Sequence, residues 1–195
     1  MPSDIPEFWS RFIDSDFDAI PPKARKFLHR ESSAASWMQT TGYFAHGYAY
    51  AFERMVMIAI DQWPNAEYLQ MPTFYLARHA AELHLKGVIC EYALATNRNA
   101  DTSSEHRLLW LWTEAEAQIQ AAGWTTDDRW SEHCRRLVQH LHEVDPRGER
   151  FRYPHNNAGK AFAYTRVELE GLAMAHAHIT TWCGAAIDML KEGQP

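Results

Sequence analysis

Residues Met71 to Leu94, MPTFYLARHAAELHLKGVICEYAL, restrict more than any other stretch what this chain can fold into. The segment reads as one long helix with Thr73 as its N-cap. Phe74, Ala77, Ala81, Leu85, Val88 and Tyr92 make one apolar side of that helix, and Leu76, Ala80 and Leu83 make a second. A helix apolar on two sides belongs inside a protein, yet Arg78, His79, Glu82, His84 and Lys86 fall within nine residues of it. Buried charges persist only when they are paired or functional. Arg78, Glu82 and Lys86 stand at i, i+4 and i+8, a single polar stripe with His79 alongside. The stripe is either a salt-bridge ladder worth about 0.2–0.5 kcal/mol per pair, or part of a pocket between helices lined by Arg78, His79, Glu82 and Lys86.

The rest of the chain is patterned for helices. Ile5 to Ile13 and Lys23 to Arg30 are short pieces on either side of Pro21-Pro22. Ser33 to Ile60 places Trp37, Phe44, Tyr48, Ala51, Met55 and Ala59 on one face, and Trp63-Pro64-Asn65 ends it. The polar loop Asn97 to Ser104 offers Ser and Thr to cap a helix from Glu105 to Ala122, which stops at Gly123. Asp127 to Val144 follows, with Trp130, Cys134, Leu137, Leu141 and Val144 inward. The last helix, Thr165 to Lys191, spaces Leu169, Leu172, His176, Ile179, Cys183, Ala186 and Leu190 by three and four. Neither a strand pattern nor a repeat is present. The expectation is an all-α bundle of about five major helices. It forms one domain over residues 1–195, with 1–32 as an N-terminal extension packing on a 33–192 bundle.

With 46% apolar and 13% aromatic residues among 195, the chain is long and hydrophobic enough for a real core. The N-terminus MPSDIPEFW is acidic and lacks the apolar stretch of a signal peptide, and the longest nearly uncharged run, Ser32 to Ala51, is too polar to cross a membrane. Cys90, Cys134 and Cys183 lie singly in helical patterns, as reduced cytoplasmic thiols do. Cytoplasmic localisation without membrane contact is expected. The net charge of −6 argues against a protein that grips long nucleic acid through a basic stripe, while leaving room for a local phosphate pocket.

Arg78 and His84 also form an Arg-x5-His spacing, but six helical residues turn about 240°, so the two point apart unless the helix is distorted or a dimer supplies the partner. No two of the eleven histidines are three or four apart, so no helical pair can share a metal, and neither a metal nor a cofactor is expected. His176, inside an apolar stripe, reads as a hydrogen-bonded core histidine. The loop from Asp145 to Lys160, DPRGERFRYPHNNAGK, is the second unusual place. Phe151 and Tyr153 can anchor it, setting Arg150, Arg152 and His155 around a Tyr-Pro turn. Arg152 then either closes helix ends or pairs with Asp145, or else delivers phosphate-binding donors from an Arg-Tyr-His lid.

Three segments resemble those of a group of bacterial HEPN-like helical proteins. PTFYLARHAAELHLKGVI resembles their Pro-x-x-x-Leu-x-Arg-His-x-x-Glu-Leu-x-Leu-Lys segment. Glu105 to Trp112 resembles their His-x-Leu-x-x-Leu-Trp segment, and Asp145 to Pro154 their Asp-Pro…Phe-Arg-Tyr-Pro loop. With the Gly42-Tyr43-Phe44 helix, the resemblance spans most of Ser33 to Gly159 in order. It implies a HEPN-like bundle of a bacterial defence or regulatory system whose polar pocket (Arg78, His79, Glu82, Lys86 and Arg152, with His106 and Tyr153) binds RNA, a nucleotide or a partner protein. Characterised HEPN domains are often metal-independent endoribonucleases of toxin–antitoxin, CRISPR or phage-defence systems, whose Arg-x4-6-His motifs meet across a dimer. On that alternative Arg78, His79 and His84 are catalytic: the Arg holds the scissile phosphate while His moves protons as the ribose 2′-OH attacks. The implied partners are RNA or a nucleotide, an antitoxin or defence-system protein, and a second copy of the chain. A purely structural oligomerisation bundle is the remaining alternative.

Overall fold

The computed structural model describes residues 40–156, 158–163 and 165–193, all within a compact unit that spans Ser36–Pro195. The extension expected over residues 1–32 and the helical start expected at Ser33 lie outside the described residues. Five α-helices follow one another: α1 Thr41–Asp61, α2 Gln70–Ala95, α3 Leu108–Ala121, α4 Arg129–Val144 and α5 Leu169–Glu192. A 3-10 turn, Glu67–Leu69, leads into α2. No strand forms among the described residues, where extended backbone pairs only at an isolated antiparallel bridge between His155 and Ala161. The fold is an all-α bundle, and no described helix is long and apolar enough to cross a membrane.

The two-sided apolar pattern of α2 makes it the centre of the bundle, packed against α1, α5 and α3. Its first apolar side, from Phe74 to Tyr92, is buried throughout; on the second side Ala80 is fully buried while Leu76 and Leu83 are partly so. The seven residues expected on the inner face of α5 are all buried, from Leu169 to Leu190. Trp182 of that helix packs on Trp112 of α3 with ring centroids 4.1 Å apart, and its indole N–H donates to Ser131 Oγ at 2.9 Å.

Several local expectations are corrected. α1 buries Ala45, Ala49, Phe52, Val56 and Ala59 rather than the stripe through Phe44, Tyr48 and Ala51. Small alanines on that face let α1 approach α2 closely, and the bulky Phe44 is left 43% exposed. Thr73 does not cap α2. The 3-10 turn hands helical backbone straight to Leu69, α2 begins at Gln70, and the Thr73 hydroxyl donates inside the helix to Leu69 O at 2.7 Å. Pro72 therefore sits in the first turn, where a missing N–H costs no bond. No Ser or Thr caps α3; instead Glu105 Oε1 accepts the N–H groups of His106 and Arg107 at 2.9 and 2.7 Å. Its other end matches the expected stop: Gly123 takes φ 88°, and Trp124 N donates back to Ile119 O at 3.2 Å. α4 starts two residues late at Arg129, capped by the Asp128 carboxylate, which accepts from Trp130 N and Ser131 N. α5 starts at Leu169 rather than Thr165, because the preceding segment stays extended and Val167 N donates to the buried Gln70 side chain at 2.9 Å. All three cysteines are free thiols, Cys90 exposed and the other two buried.

Candidate functional site: a buried ion cluster beneath two loops

The loop from α2 to α3 and the loop from α4 to α5 both cross the polar stripe of α2, and Arg78 joins them. Its guanidinium is 2% exposed and donates from all three nitrogens. Nε donates to Asp145 O at 2.9 Å, Nη1 to Glu82 Oε2 at 3.2 Å and Nη2 to His106 O at 2.7 Å. Glu82 is equally buried. Its Oε1 accepts from Lys86 Nζ at 3.0 Å and faces His106 Nδ1 at 2.9 Å, so that ring nitrogen carries the proton. The stripe is therefore an ion-pair ladder, but one enclosed by loops, and Arg78 and Lys86 balance the buried carboxylates of Glu82 and Asp145. Charges this deep persist because every one has an opposite partner. Burial alone would push the Glu82 carboxyl up; hydrogen bonds from His106 and Lys86 outweigh it and hold the group below its usual range.

Asp145 builds the outer loop as well as closing on Arg78. Its Oδ1 accepts from Glu149 N and Arg150 N at 2.9 and 3.2 Å, and its Oδ2 lies 3.8 Å from Arg78 Nε. Gly148 then passes directly over the guanidinium with φ 72°, so close that a Cβ there would lie 2.8 Å from Arg78 Nη1. Phe151 anchors the loop by stacking on Phe74 of α2 at 3.9 Å. Tyr153 does not anchor it; it is 55% exposed.

Arg152 stands one step outside the cluster. It does not pair with Asp145: its Nε donates to Gly148 O at 2.6 Å, and its guanidinium lies over the rings of Tyr75 and Tyr153 at 5.7 and 5.3 Å. Tyr75 in turn stacks on His79 at 5.6 Å, and Tyr48 of α1 meets His79 edge-on at 4.4 Å. Burial pushes the His79 imidazole below its ordinary value, and nearby Glu82 only partly opposes this. The result is a continuous aromatic row that holds Arg152 at the surface. Among the described residues the terminal nitrogens of Arg152 have no hydrogen-bond partner.

The expected site residues thus fall into two groups. Arg78, Glu82 and Lys86 are buried together, and the exposed His106 ring reaches Glu82 from the surface; His79, Arg152 and Tyr153 form the separate aromatic row. His84 meets neither, as the helical turn requires. Its Nε2 is buried without a hydrogen-bond partner among the described residues, and burial followed by the neighbouring His46 lowers its pKa. Sequence reasoning missed Asp145 and Gly148 as the parts that close the cluster. It also missed His142, whose pKa is lowered first by burial and then by the charges of Arg78 and Arg107. The Asp-Pro-x-Gly spacing was the available signal, since a left-handed glycine after Asp-Pro marks a tight turn. His133 and His178 share a hydrogen bond at 3.0 Å beneath Trp130. Among the described residues no group of three His, Cys, Asp or Glu side chains is placed to hold a metal.

Fold and site together define an all-α protein with a charge-balanced cluster locking two loops onto its central helix. None of the known families, curated proteins and solved structures compared with the chain matches it.

Proposed function

We propose that this is a HEPN-like helical binding module of a bacterial defence or regulatory system, engaging RNA or a nucleotide through Arg152 and Tyr153. The observation that carries it is the Arg152 guanidinium. It is exposed, pinned through Nε, carried on an aromatic row, and has no hydrogen-bond partner for either terminal nitrogen among the described residues. A fixed guanidinium beside an exposed tyrosine suits a phosphate and a base at once. The buried cluster is the foundation of this edge, since Gly148 contacts Arg78 on one side and accepts from Arg152 on the other. The three segments that resemble HEPN-like proteins supply the parts of this one junction: Arg78 and Glu82 from the first, His106 from the second, Asp145 to Tyr153 from the third. Ribonuclease chemistry by Arg78 and His84 is less well supported. It would need Arg78 released from its carbonyl and carboxylate partners and His84 supplied by a second chain.

The test is fluorescence anisotropy of a labelled single-stranded RNA in EDTA at about 50 and 200 mM salt, with a gel run in parallel to detect cleavage. Binding that falls with salt and is lost in Arg152→Ala, with the RNA intact, supports the binding module. Binding unchanged in Arg152→Ala refutes it. Cleavage abolished by both Arg78→Ala and His84→Ala would replace it with the ribonuclease.

A further inference from the structure

The loop beyond Arg152 folds back on itself and encloses a cleft of about 400 Å³ between Met71, Phe151, Pro154 and Phe162. That lies in the range of roughly 300–1,000 Å³ typical of small-molecule sites. Its walls are built rather than incidental. Phe151 is 7% exposed and stacked on Phe74. Arg150 staples the two limbs of the loop, donating to Val144 O at 3.2 Å, Ala163 O at 3.0 Å and the Thr165 hydroxyl. Arg150 forms no ion pair among the described residues. Arg152 lines the same cleft, its terminal nitrogens unengaged among the described residues. No carboxylate is among the described residues that line it, although the chain as a whole carries −6. An apolar slot with two guanidinium charges at its edge complements a flat, apolar ring system carrying a dianion.

We propose that this cleft takes a nucleoside 5′-monophosphate, with the base between Phe151, Phe162 and Pro154 and the phosphate on Arg152, balanced by the charge of Arg150. The assignment rests on the nucleotide half of the proposed function and narrows it. A terminal phosphomonoester is close to doubly charged at neutral pH, whereas each internal phosphodiester of RNA carries one charge, so the cleft favours the free nucleotide over the polymer.

Isothermal titration calorimetry on the full chain tests this with AMP, GMP, CMP, UMP, adenosine and inorganic phosphate, beside an RNA decamer lacking a 5′-phosphate. At least one monophosphate is expected to bind with Kd below about 1 mM, and adenosine and inorganic phosphate each at least about tenfold more weakly. Arg152→Ala is expected to weaken the nucleotide by about tenfold or more with an unchanged thermal melt. Phe162→Ala should weaken the nucleotide but leave inorganic phosphate unchanged. Inorganic phosphate binding as tightly as the nucleotides overturns the base slot. Decamer binding through Arg152 without any monophosphate binding overturns the cleft assignment and leaves the binding-module function standing. Binding of neither defeats both.

Discussion

Acid should weaken this protein through one buried imidazole. His176 is 2% exposed at the junction of α5 with α1, its ring 4.2 Å from that of Phe52, and its Nε2 has no hydrogen-bond partner among the described residues. The core histidine expected there is present, but this nitrogen is unsatisfied. Burial first, and the neighbouring His84 second, push its pKa from an ordinary 6.5 down to about 4. Between those values the unfolded chain binds a proton that the folded chain refuses. Stability therefore falls as pH drops through this window, is unaffected by this group above it, and levels off below it. Each tenfold change in proton affinity is worth about 1.4 kcal/mol. The full gap is thus worth about 3 kcal/mol, of which about 2.5 kcal/mol is already lost at about pH 4.5. His176→Leu, close in volume, removes the effect without opening a large cavity. Urea denaturation followed by circular dichroism from about pH 7 to 4.5 should show the wild type losing about 2.5 kcal/mol more than the variant. The carboxylates titrate in both proteins and cancel in the difference. Parallel pH profiles would show that His176 is not held neutral by burial and would refute the reasoning.

Arg78→Ala leaves the Glu82 and Asp145 carboxylates buried beside vacated space, and should lower unfolding stability by about 3–5 kcal/mol in chemical denaturation. Gly148→Ala combines φ 72° with a Cβ lying 2.8 Å from the pinned Arg78 guanidinium. A loss of about 1–3 kcal/mol is expected in the same assay, with RNA or nucleotide binding reduced because Arg152 hangs from the Gly148 carbonyl. The Glu82 carboxyl is held below its usual range, so the stability it contributes is present above the unfolded pKa near 4.5 and is lost as pH falls through the lower folded value. Glu82→Gln should therefore be less stable than wild type at neutral pH, and the deficit should shrink in acid when both are unfolded with guanidinium chloride.

Periodicity was enough for the helices and for the faces of the two longest. The α5 stripe from Leu169 to Leu190 and the α2 stripe from Phe74 to Tyr92 are buried residue for residue, because a 3.6-residue repeat is a local property that survives any packing around it. The coherence of Arg78, Glu82 and Lys86, and the separation of His84 from them, were legible for the same reason. The α1 face was not. Its alternatives differ by about one residue of rotation, and the choice of Ala45 and Ala49 over Phe44 and Tyr48 comes from how closely α2 lets it approach. Caps were not legible: Asp128 was read as part of the helix it caps, and α2 starts from a preceding turn at Leu69 rather than at Thr73.

By itself, then, the sequence determined an all-α chain with one polar stripe on its most apolar helix. Only the tertiary structure decided whether that stripe would face a cavity or be enclosed, because the closing groups come from distant segments. His106 lies 28 residues from Arg78, and Asp145 lies 67 away. No helical repeat relates such positions. They meet because a buried guanidinium must find an acceptor for each of its nitrogens, and the backbone carbonyls of two crossing loops were the ones within reach.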